Sequence, residues 1–215
     1  SVQNGLSQNT VNTILQDKQG FMWFGTKDGL NRYDGLSFRK FKHDDRSQRS
    51  IGNNFITALY EDEKGSIWVG TDVGLYIYYP EKDSFEHFTK QSVENTELQN
   101  YTLQNFSFLT TNVETFAFDN SGTLWIGCYG DGLFYSKDRL KTLHPYLSPV
   151  NNKEIYANDV VTCIVKGAYN CLYISSLKGG VKELNLTSGK LRDLLLKDED
   201  NESIYCRTLL FATDN

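Results

Sequence analysis

The stretch DKQGFMWFGTKDGLNRYDG, from Asp17 to Gly35, sets an acid, a glycine three residues on, an aromatic run, Gly-Thr and then Gly-Leu in a fixed order. The same order returns as DEKGSIWVGTDVGLYIYY from Asp62 and as DNSGTLWIGCYGDGLFYS from Asp119. The chain is therefore an internal repeat, and its fold must be one that stacks copies of a small unit.

Each copy divides into four pieces. The first carries apolar residues three apart: Val11 and Ile14, Ile56 and Leu59, Val113 and Phe116. That spacing alone suits a helix, but each run is short and meets an Asp-x-x-Gly turn at once, so a strand entering a hairpin fits better. In those turns Gly20, Gly65 and Gly122 are free to take positive φ, and the Asp side chain can bond backbone amides. The second piece, FMWFGT, SIWVGT or TLWIGC, is an aromatic and β-branched strand with Trp23, Trp68 and Trp125 in equivalent places. A third strand starts at the next Gly-Leu, and SFRKF or SFEHF supplies a fourth.

A degraded copy lies in DVVTCIVKGAYNCLYISSLKGGVKELNLTSGKLRDL, with Tyr173 at the Trp position, Asn170 at the turn Gly and Gly167 at the Asp. Asn tolerates the left-handed backbone, so the turn survives. The anchors Trp23, Trp68, Trp125 and Tyr173 are spaced by 45, 57 and 48 residues, the long interval arising from a polar insertion at 89–111 that reads as a loop or an outer hairpin.

Four-stranded repeats of this length predict an all-β chain, a β-propeller of antiparallel blades. Helical solenoids compete, but the glycine density and strand-length apolar runs oppose them. Blades are expected at about 6–45, 51–90, 109–147 and 155–196, with the first strand of a further blade at 204–215, so that 1–215 is expected to be a partial propeller, a piece of a longer protein. An open ring leaves faces and edges that need the remaining blades or a second copy as partner.

Composition agrees: 13 Phe, 13 Tyr and 17 Gly stand against one Met and three Pro. No window reaches the ~18 apolar residues of a membrane span. A net charge of -5 opposes contact with nucleic acid or anionic lipid. Cys128, Cys163, Cys171 and Cys206 form no Cys-x-x-Cys, and His43, His87 and His144 are scattered, so neither a metal site nor a cofactor is expected. Free thiols are the preferred reading, with a Cys163–Cys171 bridge across a hairpin as the alternative.

The opening NGLSQNTVNTILQDKQGFMWFGTKDGLNRYDGLSFRKF resembles the first blade of the two-component regulator propeller, and IWVGTDVGLYIY and LWIGCYGDGLFY resemble further repeats of it. The resemblance implies a periplasmic sensor ectodomain of a Bacteroides-type hybrid two-component system. In such proteins two propellers of about seven blades each precede a β-sandwich, a membrane helix, a histidine kinase, a receiver and a DNA-binding domain. It implies sensing of oligosaccharides from polysaccharide breakdown to control glycan-utilisation genes. No catalytic residue of that family has a counterpart in this segment, so enzymatic activity is not expected of it.

In a propeller the loops leading into first strands and those joining second to third strands open on one face. Here these loops offer Asn9, Asn54, Asn112, Asn158, Lys27, Asp28, Asp72, Tyr129, Asp131 and Lys178. Amides, acids and a tyrosine suit a hydroxyl-rich ligand, although Asn and Asp also cap turns. Arg32 and Tyr33, after the first Gly-Leu, are further candidates, Arg for an acidic sugar. The tryptophans read as core rather than sugar platforms, and the Asp-x-x-Gly turns offer too few oxygens for Ca²⁺. Two other functions stay open: a scaffold that binds a peptide on its top face, and a propeller enzyme such as a polysaccharide lyase, which needs converging acid, base or metal groups.

Overall fold

A computed structural model describes residues 1–87, 112–138, 140, 143–147, 156, 158–194 and 209. The insertion at 89–111, Cys206 and all of the 204–215 strand except Leu209 lie outside these residues.

The described chain forms four antiparallel sheets of four strands, each in sequential order. The first is β1 (Val11–Gln16), β2 (Met22–Thr26), β3 (Gly29–Tyr33) and β4 (Phe38–Phe41); the second is β5 (Ile56–Glu61), β6 (Ile67–Thr71), β7 (Gly74–Tyr79) and β8 (Ser84–His87). The third is β9 (Val113–Phe118), β10 (Leu124–Cys128), β11 (Gly132–Ser136) and the two-residue β12 (His144–Pro145). The fourth is β13 (Val161–Lys166), β14 (Cys171–Ser176), β15 (Gly180–Asn185) and β16 (Leu191–Leu194). Ahead of β1 stands a three-residue 3-10 turn, Val2–Asn4, which the sequence pattern does not announce. Two compact units result, the first holding the first two blades and the second almost all of the other two.

The Asp-x-x-Gly turn does more than reverse the chain. Asp17 Oδ1 accepts from the amides of Gln19 at 3.0 Å and Phe21 at 2.9 Å, and Oδ2 accepts from the indole Nε1 of Trp23 at 2.7 Å. Asp62 repeats this with Lys64, Ser66 and Trp68, and Asp119 with Ser121, Thr123 and Trp125. One carboxylate thus closes the turn and satisfies the only donor of a buried indole; the three tryptophans are 1%, 1% and 5% exposed. The glycine completes the turn at φ 90, 81 and 79.

The fourth blade explains its own departure from the pattern. A Cβ on Gly167 would stand 2.4 Å from Tyr173 Cε2, so the tyrosine ring lies against the backbone where the other copies hold an aspartate. Loss of the acid and loss of the indole are one change. Asn170 keeps the turn at φ 57.

The core of the first unit lies between its two blades. Trp23 and Phe41 stack with centroids 5.7 Å apart, and Tyr78 sits 5.5 Å from the Trp23 ring and 5.1 Å from Phe41, with Phe85 5.7 Å from Phe41. Ile51, Ile56, Ile67 and Val69 complete the cluster. In the second unit Trp125, Leu133, Val161, Ile164, Leu172, Ile174 and Leu184 form the equivalent core. Glycine after the Trp-x step allows this approach: a Cβ on Gly25 would lie 2.6 Å from Ile56 Cγ2, and one on Gly127 2.5 Å from Val161 Cγ1. Bonds between blades add to packing. Asn12 Nδ2 donates to Ile56 O at 2.8 Å, and Arg39 Nη2 donates to both carboxylate oxygens of Asp83 at 2.6 and 2.7 Å.

Among the described residues no disulfide joins Cys128, Cys163 and Cys171. Register separates the last two: Cys163 lies opposite Ser175, whereas Cys171 stands at the turn, where its carbonyl accepts from Gly167 N. Cys163 Sγ instead accepts from the amide of Leu209 at 3.4 Å, which holds one residue of the expected fifth first strand beside β13.

Candidate functional site

The turns joining second to third strands are closed from within. Thr26 Oγ1 donates to Gly29 O at 2.8 Å and accepts from Asp28 N at 3.0 Å, and Thr71 makes the same pair with Gly74 O and Val73 N. Ser176 Oγ accepts from Gly179 N in the fourth blade. With its backbone groups satisfied locally, each turn projects its middle residues outward. The loops leading into first strands meet these turns inside each unit. Gly29 N donates to Asn54 O at 2.7 Å and Asp72 N to Phe55 O at 3.3 Å; Gly130 N donates to Asp159 O and Leu177 N to Val160 O, both at 3.0 Å.

In the first unit this loop end collects Lys27, Asp28, Asn54 and Asp72. Asp28 pairs with Lys42 at 2.6 Å, and Lys27 Nζ lies 5.6 Å from the Phe55 ring centroid. Asn54 Oδ1 accepts from His43 N at 2.8 Å, which fixes the loop before β5. His43 itself is held by Asp45 at Nε2 and by Ile51 O at Nδ1, and these contacts raise its pKa, Asp45 most of all. Burial raises the Asp72 carboxyl above its ordinary value. Asn9 Oδ1 accepts from Val2 N at 2.9 Å and ties down the N-terminal turn. Asn112 has a buried Oδ1 with no hydrogen-bond partner among the described residues.

Arg32 and Tyr33 do not join this group. They lie at the far end of β3 from the 26–29 turn, roughly 10 Å or more along the strand. Arg32 stacks over Phe21 at 4.4 Å and Trp23 at 5.7 Å, and Tyr33 donates its hydroxyl to Gly35 O. They are the last two residues of the five-residue strand β3, at the opposite end from the turn that the sequence pattern placed beside them.

In the second unit the loop end gathers Tyr129, Asp131, Asn158 and Lys178. Tyr129 is 58% exposed and its backbone bridges to Val160. Asn158 takes φ 59 and donates its amide to Gly130 O at 3.0 Å, and its own carbonyl accepts from Lys178 Nζ at 2.7 Å. Asp131 Oδ2 is shielded and has no hydrogen-bond partner among the described residues. An open aromatic face and an ammonium in one loop cluster can stack on and donate to a hydroxylated ligand.

Two residues that organise these ends were not singled out from sequence. Lys42 neutralises Asp28, and Asp159, 6% exposed, accepts from the amides of Val160 and Lys178 and so pins the 158–160 loop to the 177–179 turn. Asp159 follows Asn158 directly, so the signal was an acid at the end of the YAND run. Among the described residues no three His, Cys, Asp or Glu side chains gather as a metal site.

The two-component regulator propeller model matches residues 5–28 and 50–73, each a blade's leading loop, first hairpin and 2–3 turn. Those two segments are similar to two-component regulator propeller repeats. Histidine kinase P4 of Formosa agariphila is 46% identical over 48 residues, 22% of this chain and 4% of that protein. The extracellular domain of BT3049 from B. thetaiotaomicron, named as a hybrid two-component system, superimposes with a TM-score of 0.68 at 27% identity, covering 90% of this chain and 26% of its own. The extracellular domain of BT4673 from the same organism gives 0.64 at 20% identity, covering 92% and 23%. The chain spans about a quarter of the length of those extracellular domains. No helix among the described residues is long and apolar enough to cross a membrane.

Proposed function

We propose that these repeats are part of the periplasmic ligand-sensing domain of a hybrid two-component signalling protein, and that the ligand is an oligosaccharide released during polysaccharide breakdown. The observation that carries the reading is the likeness to the BT3049 extracellular domain over nine-tenths of the chain. The loop ends support it: blade cores are filled by repeated residues, whereas the projecting positions Lys27, Asp28, Val73, Tyr129 and Lys178 differ from copy to copy. A framework that repeats its core and varies its loops is built to present a site. Signalling then passes through domains outside residues 1–215, and this segment contributes binding rather than catalysis.

The test is thermal unfolding of the complete ectodomain against a panel of acidic and neutral oligosaccharides. A ligand at ~100 times its Kd raises stability by about 2.7 kcal/mol, read as a rise in the unfolding midpoint. Tyr129→Ala and Asp131→Asn are expected to reduce that shift while leaving the unliganded midpoint nearly unchanged. If no sugar moves the midpoint, the ligand class is wrong.

A further inference from the structure

The first blade sets two arginines directly opposite one another. Arg32 on β3 lies across from Arg39 on β4 and, on its other side, from Trp23 on β2. The matching positions hold Ile77 and Glu86 in the second blade, Tyr135 and His144 in the third, and Glu183 and Arg192 in the fourth, where the opposite charges meet at 2.9 Å. Like charges facing each other across a ladder repel, so the first blade places two guanidiniums where the fourth has built an ion pair. A basic edge strand guards a sheet against unwanted pairing, which accounts for Arg39 and Lys40 on β4, but Arg32 stands on the interior strand β3.

The two arginines share one acid. Arg39 Nη2 donates to both oxygens of Asp83, and the Tyr78 hydroxyl donates to Asp83 Oδ1 at 2.8 Å. Those bonds hold the Asp83 carboxyl below its ordinary value, the Arg39 bond most of all, whereas Arg32 acts on it only through its charge. The other acids at this end are taken: Asp17 and Asp62 by their turns and indoles, Asp34 by the amides of Leu36 and Ser37, and Glu61 by the amide of Lys18. Arg32 has no hydrogen-bond acceptor among the described residues; its guanidinium lies over the Phe21 ring at 4.4 Å and the Trp23 ring at 5.7 Å. Ring contact engages the face of a guanidinium and leaves the donors at its edge free. Phe21 is the first blade's own addition, with Ser66 and Thr123 in its place in the next two.

We infer that Arg32 and Arg39 form a carboxylate-binding site between the first two blades, with Arg32 as its open half resting on the Phe21 ring. A carboxylate is the matching group because its two oxygens take parallel N–H bonds from a guanidinium edge, and one added negative charge balances two guanidiniums that have only Asp83 between them. The ligand is a free organic acid or the acidic side chain of another protein, which share this chemistry. The site is separate from the loop end that holds Lys27, Asp28, Asn54 and Asp72, because Arg32 stands near the other end of β3, beside the turns that follow the third strands. It does not depend on the sensing role, since a neutral sugar bound at the loop end leaves Arg32 without an acceptor.

The test is arginine modification by phenylglyoxal on the complete ectodomain, followed residue by residue by peptide mass spectrometry, in sodium chloride and in sodium acetate or end-capped tetraglutamate at equal ionic strength. Arg46, whose side chain is 91% exposed beside Asp44, is the internal reference. At about ten times its Kd a carboxylate should slow modification of Arg32 roughly tenfold and leave Arg46 unchanged, because only the unoccupied site reacts. Protection by acetate assigns a free acid as ligand, and protection by the peptide alone assigns an acidic segment of another protein. Arg39→Glu, which gives Arg32 an ion-pair partner like that of the fourth blade, should remove the protection, with circular dichroism showing that the variant folds; if it does not fold, the unmutated ectodomain decides the case. Equal slowing of Arg32 and Arg46, no slowing by either carboxylate, or protection that survives in a folded Arg39→Glu overturns the site. So does an Arg32 that already resists modification in chloride, because its acceptor is then part of the protein. None of these readouts involves a neutral sugar, so their failure is separable from failure of the sensing role.

Discussion

Asp17, Asp62 and Asp119 each satisfy two turn amides and one indole, so three donors depend on one small side chain. Asp17→Ala leaves the 1% exposed Trp23 with an unmet N–H and should cost about 3 kcal/mol in urea unfolding, whereas Asp34→Ala, in an exposed turn, should cost well under half of that. Acid tests the same residues. Burial alone would raise the Asp119 carboxyl, but bonds from Trp125, Ser121 and Thr123 hold it below its ordinary value of 3.8. Its contribution is therefore present above that value and is lost as pH falls through the lower folded one. Asp119→Asn should flatten the acid limb of the stability curve. The histidines shift in opposite directions. Burial lowers His87, which stacks on Tyr76 at 4.2 Å, while Asp45 raises His43. An NMR titration should find His87 below and His43 above 6.5. His87 then destabilises the fold as pH drops below 6.5, where the unfolded state binds the proton more readily, and His43 loses its stabilisation as pH rises through its folded value.

At the scale of the element, turns and strands were legible because their cause is local. Asp-x-x-Gly, a left-handed glycine and an alternating aromatic strand define a hairpin wherever the chain goes next. The roles of Gly25, Gly70 and Gly127 were not legible, because what forbids a side chain at Gly25 or Gly127 belongs partly to the neighbouring blade. The two kinds of glycine separate by mutation. Gly20→Ala, at φ 90 with open space around it, should cost about 1–2 kcal/mol through backbone strain. Gly25→Ala, whose methyl would lie 2.5 Å from Thr13 and 2.6 Å from Ile56, should cost more, up to about 3 kcal/mol, through overpacking. Chemical denaturation of the two variants decides the order. The loop ends were half legible. Which loops meet followed from the repeat, and Asn54, Lys27, Asp28 and Asp72 do share one end. The displacement of Arg32 and Tyr33 did not follow, because each extra strand residue adds about 3.3 Å and carries a side chain to the other end of the blade.

For the whole molecule, the two compact units set how damage combines. Trp23 packs with Phe41 and Tyr78, and Trp125 with Tyr135 and Tyr146, each inside its own unit. Trp23→Ala and Trp125→Ala should each cost about 3–5 kcal/mol, and hydrogen exchange should show the loss confined to the unit mutated. Repeat spacing and four-strand topology were determined by the sequence alone, because each follows from hairpins closed within some twenty residues. The Asp17–Trp23 bond and the Gly167–Tyr173 exchange, each within one hairpin, needed side-chain geometry, and the glycine gaps between blades were decided only by tertiary structure. The room around a Cβ depends on which surfaces are brought together, and that is set by packing rather than by any residue's own preference.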